Sequence, residues 1–273
     1  MRIATFNLES FGSSHRNAVP FRERAVVLRP QLDRLKAEIL CFQEVYAPKV
    51  GGIRRTSDLK RLLEGMPYAE YSLLVSPGPS GVRPADVHNL VMLTHFPVIE
   101  QHIIRHHFVE PLGFRRHTAI PPDPDVTALT WDRPLQHVVL GLPTGSRLHV
   151  FNVHLRARLA AAIPGQKSGP FAWETVSGWA EGFFTAAVKR AGQALELRLA
   201  VERIMDDEPD ALILVCGDFN AEDHETALRL TCAREDDTGS GHLAPRVLTP
   251  VERTVPVDQR FTVIHHGRPE MLD

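Results

Sequence analysis

Cysteine is scarce in this chain, which has only Cys41, Cys216 and Cys232 among its 273 residues. A small, odd number in a chain of this length argues against the disulfide frameworks that hold small secreted proteins together. Because Cys41 and Cys216 lie within apolar runs, both are expected to be buried free thiols. A reducing compartment fits this composition without being required by it.

An excess of charge of one sign is also absent. The chain carries 31 basic and 33 acidic side chains, so its formal net charge is -2. Nucleic-acid binding that ignores sequence depends mainly on neutralising phosphates, and here it would need a local basic face. The composition therefore neither supports nor excludes a DNA substrate.

Long apolar runs are missing as well. No apolar segment approaches the roughly 20 residues that a membrane helix needs. The first residues, Met1 to Asn7, contain no basic stretch followed by an apolar segment, so no signal peptide is expected. These absences predict a cytoplasmic protein without a membrane span, and they leave the oligomeric state unknown.

Short strand-like segments outnumber helical ones. The clearest helices are expected at 21–40, interrupted by Pro30, and at 180–205. Strands are expected at 2–6, 39–45, 69–75, 90–94, 98–109, 127–140, 147–153, 211–216, 246–248 and 261–264. Strands and helices do not alternate strictly, which disfavours a doubly wound parallel sheet or an eight-fold barrel. The sequence shows no internal repeat and no linker, so a single domain is the simplest interpretation.

Four polar clusters follow apolar strands. They are Asn7 with Glu9, Gln43 with Glu44, Asn152 with His154, and Asp218 with Asn220. Side chains placed directly after a buried strand project from a rigid edge, where functional groups are usually found. Each cluster alone also has a structural explanation, such as a turn cap, a surface carboxylate or a core histidine. Together they supply carboxylate and amide oxygens and an imidazole from separate strands.

Oxygen-rich sets of this kind suit a hard cation. Mg²⁺, or Mn²⁺ in its place, takes one or two carboxylates and keeps several waters. Sulfur ligands are absent from the four clusters, so a zinc site is less expected.

Four segments resemble, in the right order, the successive signatures of the endonuclease/exonuclease/phosphatase superfamily. They read Ile-Ala-Thr-Phe-Asn-Leu-Glu from residue 3, Cys-Phe-Gln-Glu-Val from 41, Val-Phe-Asn-Val-His-Leu from 150 and Val-Cys-Gly-Asp-Phe-Asn from 215. The resemblance covers nearly the whole chain and implies an α/β fold. That fold is a four-layered α/β/β/α sandwich of two mixed, mostly antiparallel sheets flanked by helices, here as a single domain over 1–273. The activity it implies is metal-dependent hydrolysis of phosphoester bonds.

The resemblance also implies roles for individual residues. Glu44 would be the main metal ligand, with Asn7 beside it as a ligand or water anchor. His154 would contact the scissile phosphate, and Asp218 would orient or activate the attacking water. Asn220 would bind substrate by hydrogen-bonding a non-bridging oxygen.

The pattern breaks at the C-terminal end. Asp273 matches the aspartate that partners the family's catalytic histidine, but the segment that would carry this histidine is not present. The expectation is a domain that lacks its C-terminal strand or strands. If the protein ends at Asp273, hydrolysis should be severely weakened.

The superfamily fold does not determine the substrate. Arg156 follows His154 closely and is a candidate for binding a second phosphate, a solvated loop charge being the alternative. The near-neutral charge favours a phosphodiesterase or phosphatase acting on a small or lipid phosphoester over a DNA or RNA nuclease. A catalytically silent binding or scaffold protein is the alternative from another class, favoured by the absent histidine and opposed by the intact cluster residues.

Overall fold

The computed structural model describes residues 1–12, 19–78, 81 and 83–273. The strands are, in chain order, β1 (Ile3–Phe11), β2 (Ile39–Val45), β3 (Lys49–Val50), β4 (Ile53–Arg54), β5 (Ser72–Val75), β6 (Asn89–Thr94), β7 (Val98–Ile104), β8 (Leu112–Phe114), β9 (Thr127–Leu129), β10 (Leu135–Gly141), β11 (Arg147–His154), β12 (Leu212–Asp218), β13 (Val263–His265) and β14 (Arg268–Glu270). The α-helices are α1 (Phe21–Leu35), α2 (Ser57–Leu63), α3 (Val176–Asp207), α4 (Thr226–Cys232) and α5 (Glu235–Thr238). Short 3₁₀ helices cover Pro67–Glu70, Gly241–Arg246, Val251–Thr254 and Val257–Gln259.

Two four-stranded sheets form the centre of the fold, with strand orders β1-β2-β6-β5 and β12-β11-β10-β7. In the first sheet β1 and β2 are parallel, and in the second β11 and β12 are parallel. The remaining neighbours in both sheets are antiparallel. The sheets are therefore mixed and mostly antiparallel, as the resemblance implied.

Each central strand packs against helices on one face and against the other sheet on its opposite face, and its side chains alternate between the two faces. Along β2, Leu40 and Phe42 join the core beneath α1 and α2, whereas Ile39 and Cys41 pack against the other sheet. This is the two-residue period of a strand buried on both faces. β11 shows the same alternation between the core beneath α3 and the space between the sheets. The expected order of layers, helix, sheet, sheet and helix, is thereby confirmed.

Some expected elements have different limits. The first helix was expected to reach residue 40 but ends at Leu35, where Lys36 adopts a left-handed backbone conformation with φ of 45°. The expected strand at 127–140 is two strands, because Pro134 lies before β10 and cannot donate a backbone hydrogen bond. The segment 246–248, expected as a strand, instead begins with the last residue of a 3₁₀ helix and continues as irregular chain. None of the described helices is both long and apolar enough to cross a membrane.

Gln43 and Asn152 are completely buried between the two sheets. Gln43 Nε2 donates to Asn152 Oδ1 over 2.7 Å. Asn152 Nδ2 lies within hydrogen-bond distance of the carbonyl oxygens of Phe42 (3.3 Å) and Val91 (3.2 Å) and of Gln136 Oε1 (3.1 Å). Burying amides is unfavourable unless they are hydrogen-bonded, so this network joins the sheets as a unit. Its two central residues belong to the motif segments, yet their role here is structural.

Asn152→Ala is expected to lower the free energy of unfolding by about 2–4 kcal/mol, because it leaves a cavity and removes the shortest hydrogen bond of Gln43 Nε2. Urea denaturation followed by circular dichroism measures the loss. Gln101→Ala, at an exposed position of β7, is the control and should change stability by less than about 0.5 kcal/mol. Equal stability of the two variants would show that the network does not hold the sheets together.

Candidate functional site

The polar clusters meet where the two parallel strand pairs end. β1 and β2 run side by side to the pair Asn7 and Gln43, and β11 and β12 to the pair His154 and Asp218. Asn7 Nδ2 donates to Asp218 Oδ2 over 2.9 Å, which connects one sheet to the other at this edge. Residues from distant parts of the sequence thus share one site, as the motif order predicted.

Glu44 presents its two carboxylate oxygens in different directions. Oε2 accepts hydrogen bonds from the Ser10 backbone N–H and hydroxyl, over 2.9 and 3.2 Å. Oε1 instead faces His154 Nε2 at 3.7 Å and His88 Nδ1 at 4.0 Å. Glu44 has a positive φ of 57°, which departs from strand geometry at the end of β2. One oxygen is therefore anchored by β1, and the other is directed towards the imidazoles.

Gly217 allows β12 to approach β11 at the site. Its φ is +132°, and a Cβ built there would overlap the Val153 carbonyl oxygen. No other residue type fits this close approach without moving the strand. The glycine before Asp218 therefore positions the carboxylate beside His154.

Asp218 is held by donors on both oxygens. Oδ2 accepts from Asn7, and Oδ1 accepts from the Asn220 backbone N–H over 2.8 Å. Burial raises the pKa of Asp218, while the hydrogen bonds from Asn7 and Asn220 act in the opposite direction. Oδ2 also lies 3.5 Å from His154 Nε2. A buried carboxylate with a raised pKa takes up a proton more readily than an exposed one, which suits a general base.

His154 is 1% exposed, and burial lowers its pKa well below the usual value for histidine, with Arg133 and His88 acting in the same direction. The ring is therefore neutral at pH 7. Its Nε2 faces both Glu44 and Asp218. A neutral imidazole in this position can donate a hydrogen bond to an anion or bind a cation.

Arg133 is a site residue that the sequence did not indicate. It is 8% exposed, and its Nη1 donates to the Leu155 carbonyl oxygen over 2.8 Å. Burial lowers its pKa, and the charges of Glu44 and Asp218 act against this shift. A guanidinium in the field of both carboxylates is well placed to receive phosphate oxygens. In the sequence, Arg133 is distinguished only by its position in an Arg-Pro pair directly before an apolar strand.

His88 also lies in the site without having been proposed for it. It directly precedes β6, and the ligand atoms of Glu44, His88 and His154 all lie within 4.8 Å of one another. The set combines one carboxylate and two imidazoles and fits a divalent cation. In the sequence, His88 is only a single histidine shortly before the apolar segment 90–94.

Asn220 and Arg156, expected to bind substrate, are partly engaged with protein. Asn220 Nδ2 donates to the Leu155 carbonyl oxygen over 3.1 Å, so one amide hydrogen is directed at the backbone. Arg156 pairs with Asp132 over 3.3 Å, and its buried Nε has no hydrogen-bond partner among the described residues. Their roles in substrate binding remain predictions.

Asp273 lies close to Asp218. Burial, together with the charge of Asp218, raises the pKa of Asp273 to about 6. The Phe219 N–H donates to the Leu272 carbonyl oxygen over 2.9 Å, and this bond holds the last residues of the chain beside the end of β12. The aspartate matched to the catalytic pair thus reaches the edge of the site, while its role there stays a prediction.

A comparison with models of known protein families shows to which family the chain belongs. The model of the Endonuclease/Exonuclease/phosphatase family matches residues 4–270. The chain belongs to this family. Curated proteins, by contrast, include no match to the chain.

Two solved structures with TM-scores above 0.5 share the fold of this chain at low sequence identity. An endonuclease/exonuclease/phosphatase from Bacteroides vulgatus is 16% identical, with a TM-score of 0.52 over 86% of this chain and 71% of that chain. A functionally unknown conserved protein from Enterococcus faecalis V583 is 17% identical, with a TM-score of 0.51 over 86% and 72%. Humanized D. rerio TDP2 is 14% identical, with a TM-score of 0.47 over 85% of this chain. This chain spans 66% of that TDP2 chain, slightly less than two thirds of its length.

Proposed function

We propose that this protein is a divalent-metal-dependent hydrolase of phosphoester bonds. The observation that carries the proposal is the convergence of three residues at the common edge of two sheets, where His154 Nε2 lies 3.7 Å from Glu44 Oε1 and 3.5 Å from Asp218 Oδ2. A cation held by one carboxylate, together with an imidazole donor, can stabilise the negative charge that develops on a phosphoryl group during in-line attack, and a second carboxylate can accept the proton of the attacking water. Membership of the family supports the same chemistry.

Each residue has a role that its surroundings allow. Glu44 Oε1 would hold the ion, because the other oxygen is already anchored by Ser10. Asp218, whose pKa burial raises, would accept a proton from the attacking water. His154 and Arg133 would donate to the non-bridging oxygens. A bound Mg²⁺ or Mn²⁺ supplies a Lewis acid that polarises the phosphoryl oxygens.

Ion pairs beside the site favour a small or lipid phosphoester over a nucleic acid. The arginines that follow His154 are paired, Arg156 with Asp132 over 3.3 Å and Arg158 with Glu225 over 3.8 Å. Nuclease activity on long duplexes would need a broad surface of unpaired positive charge. These two arginines do not supply one, so a phosphodiesterase or phosphatase with a narrower substrate is the better match.

The first test is dependence on the ion. Purified protein is expected to hydrolyse bis(4-nitrophenyl) phosphate or 4-nitrophenyl phosphate when Mg²⁺ or Mn²⁺ is present. EDTA should stop the reaction, and added ion should restore it. Comparing the diester and the monoester separates phosphodiesterase from phosphatase, and plasmid DNA tests the nuclease alternative. A folded protein that cleaves none of these and has no affinity for either ion would instead be a silent binding protein.

A further inference from the structure

His88 places a nitrogen atom beside the carboxylate oxygen that would hold the ion. Its Nδ1 lies 4.0 Å from Glu44 Oε1, and the ligand atoms of Glu44, His88 and His154 lie within 4.8 Å of one another. Ligand atoms about 2.0–2.2 Å from an ion are roughly 3–3.5 Å apart from each other. A contraction of about 1 Å or less would therefore bring His88 and Glu44 to coordination distance.

The His88 ring is oriented by its neighbours. Tyr46 packs against it edge to face, with ring centroids 5.6 Å apart and an interplanar angle of 83°. The His154 ring lies 6.0 Å away at an angle of 77°. His88 Nδ1 is buried and has no hydrogen-bond partner among the described residues. Buried polar atoms nearly always have a partner, and this nitrogen faces the carboxylate oxygen that would hold the ion.

The backbone at His88 supports a functional constraint. Its φ is +57°, a region in which residues with a side chain are uncommon. Outliers of this kind persist where the surrounding structure enforces them, and they concentrate at functional sites. Here the conformation occurs at the residue whose ring faces Glu44.

We propose that His88 is a direct ligand of the ion held by Glu44, so that the site prefers a first-row transition ion such as Mn²⁺, Co²⁺ or Zn²⁺ over Mg²⁺. This inference rests on the proposed function, in which Glu44 is the carboxylate ligand. Mg²⁺ favours oxygen ligands and retains its waters, whereas imidazole nitrogen binds transition ions well. His154 Nε2, which also faces Asp218, stays available to donate to phosphate.

Mn²⁺ alone is the probe that tests the proposal. Pulsed electron paramagnetic resonance of the Mn²⁺-loaded wild-type protein is expected to show hyperfine coupling to an imidazole nitrogen. His88→Gln should remove this coupling and weaken Mn²⁺ affinity, measured by titration calorimetry, by about tenfold or more. Mg²⁺ affinity should stay nearly unchanged, because Mg²⁺ gains little from the imidazole.

A matched control lies at the other end of the same strand. His95 directly follows β6 and its side chain is 45% exposed, so His95→Gln should retain both the coupling and the Mn²⁺ affinity. His88→Asn, which tolerates a positive φ, serves as a second variant if His88→Gln is destabilised in thermal unfolding. Absence of coupling in the wild type, or its persistence in both His88 variants, would overturn the proposal.

The same preparations distinguish this inference from the proposed function. Hydrolysis of the nitrophenyl esters with Mg²⁺, together with a wild-type spectrum that lacks nitrogen coupling, would refute His88 as a ligand and leave the function standing. Nitrogen coupling that disappears in the His88 variants, without hydrolysis by any ion, would confirm the ligand and refute the function.

Discussion

Glu44→Gln is expected to reduce ion-dependent phosphoester hydrolysis by at least about 1,000-fold. Of the carboxylates in the site, only Glu44 directs one oxygen at two imidazoles while the other is anchored, by Ser10. A bound ion contributes several kcal/mol to transition-state stabilisation, and each 1.36 kcal/mol corresponds to a factor of ten in rate. Glutamine preserves the shape of the side chain and removes its charge. Measuring kcat on the nitrophenyl esters and Mn²⁺ affinity by calorimetry should show that both fall together.

Glu64→Gln is the control for this change. Glu64 is exposed just after α2, and the same replacement there removes one negative charge without touching the site. Its rate and Mn²⁺ affinity should equal those of the wild type. Undiminished, ion-dependent hydrolysis by Glu44→Gln would mean that the ion is held elsewhere.

The position of the site was predictable because strand ends and sheet edges follow from sequence patterns. Glu44, His154 and Asp218 come at or next to the end of their strands, and Asn7 comes at the end of the regular pairing of β1 with β2. Parallel pairing of β1 with β2, and of β11 with β12, brings those ends to one edge. Four motifs in a known order were enough to anticipate that convergence.

The structural role of Gln43 and Asn152 could not be predicted from the same motifs. Both residues flank site residues in the chain, but their side chains point between the sheets and bond to each other. A motif gives residue types, whereas the face to which each side chain projects depends on the backbone. Both side chains follow the alternation of their strands, Gln43 on the face of Cys41 and Asn152 on the face of Val150, but only tertiary packing shows that these faces meet between the sheets.

Arg133 and His88 were missed for a related reason. Their importance depends on burial and on neighbours far away in the sequence, such as Glu44. A single arginine or histidine in a sequence is far more often a surface or core residue than a site residue. Only tertiary packing makes Arg133 a buried cation in the field of two carboxylates.

Asp218→Asn is expected to lower kcat by roughly 100- to 10,000-fold, the usual contribution of a general base. Asparagine cannot accept the proton of the attacking water. It should leave Mn²⁺ affinity much less affected than Glu44→Gln does, which separates the base from the ion ligand. The replacement also leaves one fewer acceptor for Asn7 and Asn220, with an expected loss of stability of about 1–3 kcal/mol. Rates should therefore be compared well below the midpoint of thermal unfolding.

The pH profile provides the decisive readout for Asp218. Only the ionised form can act as a base, so wild-type kcat should fall as pH decreases through the pKa of Asp218, which burial raises and the positive charge of a bound ion lowers. Asp218→Asn should abolish this acid limb, because the residual rate no longer depends on that proton. Asp236→Asn, at an exposed position of α5, should keep the wild-type profile. An acid limb of unchanged midpoint in Asp218→Asn would assign the proton acceptor to another group, of which Asp273, with its pKa of about 6 beside Asp218, is the first to examine.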